Sequence, residues 1–438
     1  MNLGLNQTKN ALSIIIEKAH ISRHLIDTLI SLVGINLFIA GLSFVTTIMI
    51  ANALGKEAFG DLSFAVAIGT YGLIFIQYGL EKSFVRELVH FPNRFGELLK
   101  ASLLLKSMLF VLFLFFLAVA VALFFHHSGF SLGMVPVIIA TAFAAFQLNG
   151  VYDAWREMKR HALYYMIERC IYFALVWFVI FVPFTVLSLG LIGAFMMMST
   201  VTGLFLQYCW ALPRINFKSV QGTWPSTVFI MRSDVFIWLA VLSGLSIEYL
   251  SQIILKWYAG SSELGVYSVA FKIPQLAILF LSQAGRIGAE ATARHTQPET
   301  TASARLRFLV KYAGLMTAIG FMVGLPCILL PQYILMVFRP EYANAADTLR
   351  IFGFYPLMYG PYLAVLQYII SSRMQRTYFM LITAVGILSI GLSFWLIPQM
   401  HSKGAAISVN VSLAVALTLL VAAVGFHLKS LKKLECQV

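Results

Sequence analysis

The chain has 438 residues, of which 60% are hydrophobic and only 11% are charged, and its net charge is +13. This balance excludes a water-soluble globular protein, because an aqueous surface of this size requires more polar residues. The basic excess could suggest a nucleic-acid partner. In a membrane protein, however, basic residues gather at the cytoplasmic ends of helices, so their positions decide between the two readings.

Apolar segments of about 20 residues recur along the whole chain, and each is long enough to cross a hydrocarbon core of ~30 Å. Residues 102–125 and 409–426 are almost continuously apolar, which favours helices over the short alternating strands of a membrane barrel. The predicted fold class is therefore an all-α polytopic membrane protein. About twelve spans are predicted, near residues 25–53, 59–81, 99–125, 131–154, 163–183, 187–212, 228–257, 264–286, 308–330, 346–371, 377–397 and 404–427.

Most of the 31 basic residues fall into alternate loops of this arrangement. With the N-terminus inside, the cytoplasmic segments and flanks include Lys106 and Arg169. The exceptions are Lys56, Lys256, Arg339, Arg350 and Lys403 on the outer side, and Lys272 within a span. The bias predicts that both termini are cytoplasmic and accounts for the net charge without nucleic acid. No signal-peptide cleavage site is apparent, so the first span is expected to stay in the membrane.

Two glycine-containing turns recur at a spacing of six predicted spans. Gly60 and Gly265 each follow an acid and open a helix, and they lie 205 positions apart. Gly193 and Gly404 precede predicted spans six and twelve, 211 positions apart. Because six is even, the two halves have the same orientation in the membrane. The pattern predicts parallel repeats, residues 1–218 and 219–438, with a binding site in a central cavity between them.

Three motifs carry a family resemblance that covers nearly the whole chain. Residues 50–55 form an Ile-Ala-Asn-Ala-Leu-Gly turn, residues 78–87 lead from a glycine to Arg86, and residues 265–274 read Gly-x-Tyr-x-x-Ala-x-Lys-x-Pro. In order, spacing and duplication they resemble the Wzx-type polysaccharide flippases of the multidrug/oligosaccharidyl-lipid/polysaccharide superfamily. The chain departs from that pattern at Thr46-Thr47 and Ser251-Gln252, where relatives often carry charge.

The resemblance implies a MATE-like bundle that moves an undecaprenyl-diphosphate-linked oligosaccharide between leaflets of a bacterial inner membrane. Such transport by alternating access serves O-antigen or other lipopolysaccharide synthesis. It involves no covalent chemistry, no cofactor and no metal. The implied partners are the lipid-linked substrate, membrane lipid, a polysaccharide polymerase and a chain-length regulator.

A diphosphate substrate requires cations, and Lys272 is the strongest candidate because an ammonium inside a span must reach a wet cavity or an interface. Its alternative is to snorkel to the outer surface. Arg232, Arg86 and Arg286 are further candidates at inner helix ends, where arginines also serve simply as anchors. Tyr359, between Tyr355 and Tyr362, could stack on sugar rings or simply pack.

Two acids are candidates for coupling transport to an ion gradient. Glu248 lies fourteen residues beyond Asp234, almost four turns at ~3.6 residues per turn, so both project from about the same face of a regular helix. Intramembrane acids commonly relay protons. The alternative is a structural role, in which Arg232 pairs with Asp234 or with a neighbouring helix end.

Other functions lack the residues that they require. There is no GxxxxGK[ST] phosphate loop, which excludes ATP hydrolysis by that mechanism. The cysteines at 170, 209, 327 and 436 are scattered, and His126-His127 has no ligand-type neighbours, so no metal site is expected. Two alternatives remain. One is a cation-coupled drug or metabolite exporter of the same superfamily. The other is a polysaccharide polymerase or ligase, which is disfavoured because the outer loops are short for a catalytic segment.

Overall fold

The computed structural model describes residues 2–79, 95–124, 131–155, 157–182, 186–214, 223–296, 300–372 and 374–435. These residues form helices and short connections, with no strand in the described ranges. The first half contains α1 (Asn2–Gln77), α2 (Phe95–Phe124), α3 (Met134–Phe143), α4 (Asn149–Ala154), α5 (Met158–Phe181) and α6 (Leu189–Ala211). The second contains α7 (Thr223–Leu245), a π-helix (Ser246–Leu250), α8 (Ser251–His295), α9 (Ala302–Leu329), α10 (Pro331–Leu335), α11 (Ala345–Phe352), α12 (Phe354–Ser371) and α13 (Gln375–Glu435).

The chain is a multi-pass membrane protein. In the described part, eight helical segments are long and apolar enough to cross a bilayer. Three of them, in α1, α8 and α13, contain a single residue with non-helical backbone, at Gly55, Gly260 and His401, and so consist of two spans joined at a kink. The helix α12 has 18 residues, and at ~1.5 Å per residue its length is close to the ~30 Å of the hydrocarbon core. We therefore count it as one further span. The predicted total of about twelve spans is confirmed.

The predicted repeat is visible in the backbone. Gly55 has φ 76° and ψ 171°, and Gly260, 205 positions later, has φ 83° and ψ 176°. Beyond these kinks, a Cβ on Gly60 would lie 1.8 Å from the carbonyl oxygen of Ser261, and a Cβ on Gly265 would lie 1.9 Å from that of Lys56. The two turns therefore pack on each other reciprocally. The predicted division between residues 218 and 219 lies outside the described residues and stays a prediction.

This end of the bundle, which we call the turn end, carries Gly55 and Gly260 and holds the halves together. The Asn52 side-chain amide donates to the Val337 carbonyl at 3.0 Å and accepts from the Arg339 amide at 2.9 Å. The Tyr342 hydroxyl donates to the Ala51 carbonyl at 3.1 Å. Because these bonds satisfy backbone groups where helices end, they stabilise the contact between halves.

The predicted fourth span, 131–154, is interrupted. A 3₁₀ turn at Ala144–Phe146 follows α3, and the chain is extended at Gln147 before α4 begins. The Lys106 ammonium, from α2, donates to the Ala145 carbonyl at 2.7 Å. Lys106, which the loop-charge pattern counts with a cytoplasmic flank, is 4% exposed, because carbonyls released by the broken helix need a buried donor. Its position relative to the membrane stays a prediction.

Candidate substrate cavity

A cavity of about 230 Å³ lies between the two halves. We call it the central cavity. The first half contributes both spans of α1 together with α5 and α6, and the second contributes the π-helix and α8. Its lining residues are Ser43, Thr46, Thr47, Ile50, Phe59, Leu62, Ser63, Val66, Arg169, Tyr172, Met196, Tyr249, Gln252, Ser268, Phe271, Lys272 and Gln275.

Two cations line the central cavity, one from each half. Lys272 comes from α8 and Arg169 from α5, and no acidic residue is among the described residues that line the cavity. The Arg169 guanidinium donates to the Tyr165 hydroxyl at 2.5 Å and lies 4.6 Å from the centre of that ring. Two cations in the wall of a concave site attract anions more than cations, so an anionic group is the expected ligand.

The prediction that Arg169 belongs to a cytoplasmic flank was wrong. Arg169 is the twelfth of the 24 residues of α5, so it projects from the middle of a span. The rule that an ionisable residue inside a span faces a functional cavity, which singled out Lys272, applies equally to Arg169. Arg169 was missed because it was counted with the nearby basic residues of the preceding loop.

Polar side chains cover much of the remaining wall. Gln252 and Gln275 supply amides, and Ser268 and Tyr249 supply hydroxyls. Gln252 donates to the Glu248 carbonyl at 3.2 Å. Amides and hydroxyls can donate to and accept from sugar hydroxyls, so the wall suits a polar, uncharged group beside an anion.

A buried acid, Glu168, lies behind Arg169. Glu168 is 2% exposed, and its carboxylate accepts from the Gln147 amide at 3.1 Å and the Thr200 hydroxyl at 3.4 Å. The carboxylate is also 3.9 Å from the Arg169 guanidinium. Sequence analysis did not identify it. The signal was an acid in the middle of an apolar span, which requires a partner.

Glu248 lies beside the central cavity and belongs to the π-helix Ser246–Leu250. Its carboxylate accepts a hydrogen bond from the Tyr355 hydroxyl. Its neighbour Tyr249 lines the cavity. The predicted alignment with Asp234 assumed a regular helix, whereas a π-helix changes the angle between successive side chains. The side chain of Asp234 lies outside the described part of the structure, so its role stays a prediction.

The three tyrosines predicted along one helix form a row on α12. Tyr359 stacks on Tyr355 with ring centres 5.5 Å apart and tilts against Tyr362 at 5.8 Å. The Tyr362 hydroxyl lies 3.2 Å from that of Tyr378. The row reaches Glu248 through Tyr355, and Tyr359 is not among the described residues that line the central cavity.

The side chains of the other candidate cations lie outside the part of the chain that the structure describes. Arg86 lies outside the described residues. Arg232 and Arg286 lie on α7 and α8, but their side chains are also outside the described part. Their proposed contact with substrate stays a prediction.

Comparisons with known proteins agree with the architecture. A family described as "Polysaccharide biosynthesis protein" matches residues 25–286. No curated protein sequence gives a significant match. An inward-facing multidrug resistance MATE transporter of the MOP superfamily superimposes with a TM-score of 0.73 and 15% identity, over 92% of this chain and 99% of that one.

Two further solved structures share the fold. The lipid II flippase MurJ in an inward closed conformation gives a TM-score of 0.67 and 14% identity, over 90% of this chain and 87% of that one. An outward-facing MATE transporter of the MOP superfamily gives a TM-score of 0.59 and 14% identity, over 93% of this chain and 96% of that one. At these identities the likeness shows the fold alone.

Proposed function

The chain belongs to the family of polysaccharide biosynthesis proteins, and we propose that it is a flippase for an undecaprenyl-diphosphate-linked oligosaccharide. In this proposal the substrate moves from the cytoplasmic to the periplasmic leaflet of a bacterial inner membrane. The chain itself performs no covalent step. A membrane polymerase and a chain-length regulator then act on the delivered oligosaccharide.

The observation that carries the proposal is the pair Arg169 and Lys272 in one cavity, without an acidic residue among its described lining. A diphosphate offers several anionic oxygens, which two cations from opposite halves can contact together. Because each cation belongs to a different half, the anion would neutralise both and hold the halves around it. The Gln, Ser and Tyr side chains of the wall would contact the first sugars.

The bundle provides a route for alternating access. The bonds of Asn52 and Tyr342 close the turn end, and the loop charges predict that this end faces the periplasm. The structure then corresponds to a state closed on that side.

The remaining candidates receive roles that experiments can separate. Arg86, Arg232 and Arg286 would receive the diphosphate at the cytoplasmic mouth, and Tyr359 would contact sugar. Glu248 and Asp234 would couple transport to an ion gradient. Glu168 is a further acid for that role, because its hydrogen bonds and the adjacent guanidinium tie it to a cavity cation.

The test is transport of a fluorescent undecaprenyl-diphosphate oligosaccharide in vesicles that contain the full chain. We expect Lys272→Ala and Arg169→Gln to reduce the transport rate by about tenfold or more, which corresponds to an activation free energy higher by ~1.4 kcal/mol. The matched control is Lys403→Ala, which removes a half-exposed cation far along the chain from the cavity lining. Imposed proton and sodium gradients, applied to wild type and Glu248→Gln, test coupling.

An unchanged rate in both cavity variants would contradict the assigned diphosphate site. If folded wild-type protein moved no lipid-linked oligosaccharide but exported small organic cations, the exporter alternative would replace the flippase. An exporter of cations is disfavoured by the same observation, because its cavity needs acids rather than two basic residues.

A further inference from the structure

An ion pair joins the two halves close to the turn end. The Lys256 ammonium, from α8, donates to the Asp61 carboxylate, from α1, at 2.7 Å. The Ser261 hydroxyl donates to the same carboxylate oxygen at 2.5 Å. The Lys256 side chain is 8% exposed and that of Asp61 is 19% exposed. Lys256 also lies 4.3 Å from the centre of the Phe64 ring.

The pair lies between the central cavity and the turn end. Leu62 and Ser63, the two residues after Asp61, line the cavity, and so does Gln252. Residues four apart on a helix share a face, so Lys256 follows Gln252 on the cavity side, one turn closer to Gly260. Because Asp61 and Lys256 belong to different halves, a separation of the halves at the turn end would part them.

The pair is not needed to pack the two halves. The reciprocal backbone contacts of Gly60 and Gly265 already close this interface. At the repeat offset of 205, the counterparts of Asp61 and Lys256 are Val266 and Ala51. The glycine contacts are therefore present in both repeats, whereas the ion pair is present at only one of the two equivalent positions. A buried ion pair commonly stabilises a protein no more than apolar residues of the same shape.

We propose that Lys256 is a second anion-binding residue on the transport path, occupied here by Asp61 and available to a phosphate group once the halves separate at the turn end. This rests on the proposed flippase function and extends it to a second position of the substrate. The Asp61 carboxylate stands in for the phosphate oxygens, which can accept the same ammonium hydrogen bond. While Asp61 holds Lys256, the anion is confined to Arg169 and Lys272.

The test measures binding of inorganic pyrophosphate to the purified full chain by calorimetry. All variants carry Lys272→Ala, which weakens the first site and makes the second one visible. Into this background we introduce Asp61→Asn, Lys256→Gln, and both together. Asparagine keeps an oxygen that can accept from Lys256 and Ser261 but removes the competing charge. Asp61→Ser is the second charge-removing variant if the asparagine variant is not recovered folded.

We expect Asp61→Asn to tighten pyrophosphate binding by about tenfold and the added Lys256→Gln to abolish this gain. Lys256→Arg in place of the glutamine should preserve it, because the cation remains. No gain in Asp61→Asn or Asp61→Ser would overturn the proposal, as would a gain that survives Lys256→Gln. The binding measurement requires no flipping of lipid-linked sugar, so its failure is distinguishable from failure of the proposed function.

Discussion

The Glu168 carboxylate lies 3.9 Å from the guanidinium of its sequence neighbour Arg169, and only Arg169 belongs to the lining of the central cavity. Adjacent residues on a helix diverge by about 100°, so a long arginine side chain can reach the cavity while a shorter carboxylate contacts Gln147, between α3 and α4, and Thr200 on α6. The cavity cation therefore has an internal competitor for the anion that it is proposed to bind.

Glu168→Gln should strengthen binding of inorganic pyrophosphate by about threefold to tenfold, because the competing charge is removed from Arg169. The introduced glutamine keeps a side-chain oxygen that can accept from Thr200, so the local packing is retained. Isothermal calorimetry on the purified protein measures the change. Glu157→Gln is the control, since Glu157 pairs with Arg160 and Arg214 instead. Equal affinity in wild type and Glu168→Gln would show that Glu168 does not compete.

Gly60→Ala should lower the stability of the interface between halves. The new Cβ would lie 1.8 Å from the Ser261 carbonyl oxygen, so the backbones must move apart, at a typical cost of about 1–3 kcal/mol or more. The melting temperature of the detergent-solubilised protein reports this. Gly314→Ala is the control, because nothing lies within 4 Å of its added Cβ. Similar melting temperatures for the two variants would contradict the close approach.

Gly260→Ala should destabilise the kink by backbone strain alone. Gly260 has φ 83° and ψ 176°, a region that only glycine occupies readily, and strain there costs about 1–3 kcal/mol. Nothing lies within 4 Å of an added Cβ, so steric contact contributes nothing. Thermal unfolding beside Gly425→Ala, whose added Cβ is also free of contacts, isolates the effect. If Gly260→Ala and Gly425→Ala had the same melting temperature, the positive φ at Gly260 would be refuted.

Lys106→Met should destabilise the break between α3 and α4. Methionine retains most of the volume but cannot donate to the Ala145 carbonyl, which the ammonium contacts at 2.7 Å. A buried acceptor that loses its donor costs about 1–3 kcal/mol. Thermal unfolding checks this, with the exposed Lys432→Met as the matched control. An unchanged melting temperature in Lys106→Met would mean that this carbonyl has another donor.

The membrane fold was predictable from sequence because bilayer crossing requires long apolar runs, and these are local properties of the chain. The repeat was predictable because its turns require glycine at fixed positions, as the kinks at Gly55 and Gly260 show. Lys272 was recognisable for a similar reason: an ammonium inside an apolar run must lie near water or an anion.

The structure was needed to show which residues meet. Arg169 and Lys272 are 103 positions apart, and Asp61 and Lys256 are 195 apart; no local pattern relates the members of either pair. The loop-charge rule counts a cation by its nearest helix end, so it could not show that Arg169 lines the central cavity or that Lys106 is a buried donor to the Ala145 carbonyl. Sequence alone therefore determined that the chain spans the membrane as a duplicated bundle, because apolar length and turn glycines are encoded locally. Only the packing of one half against the other decided which charges face the cavity and which neutralise each other, because those contacts depend on helix rotation and tilt.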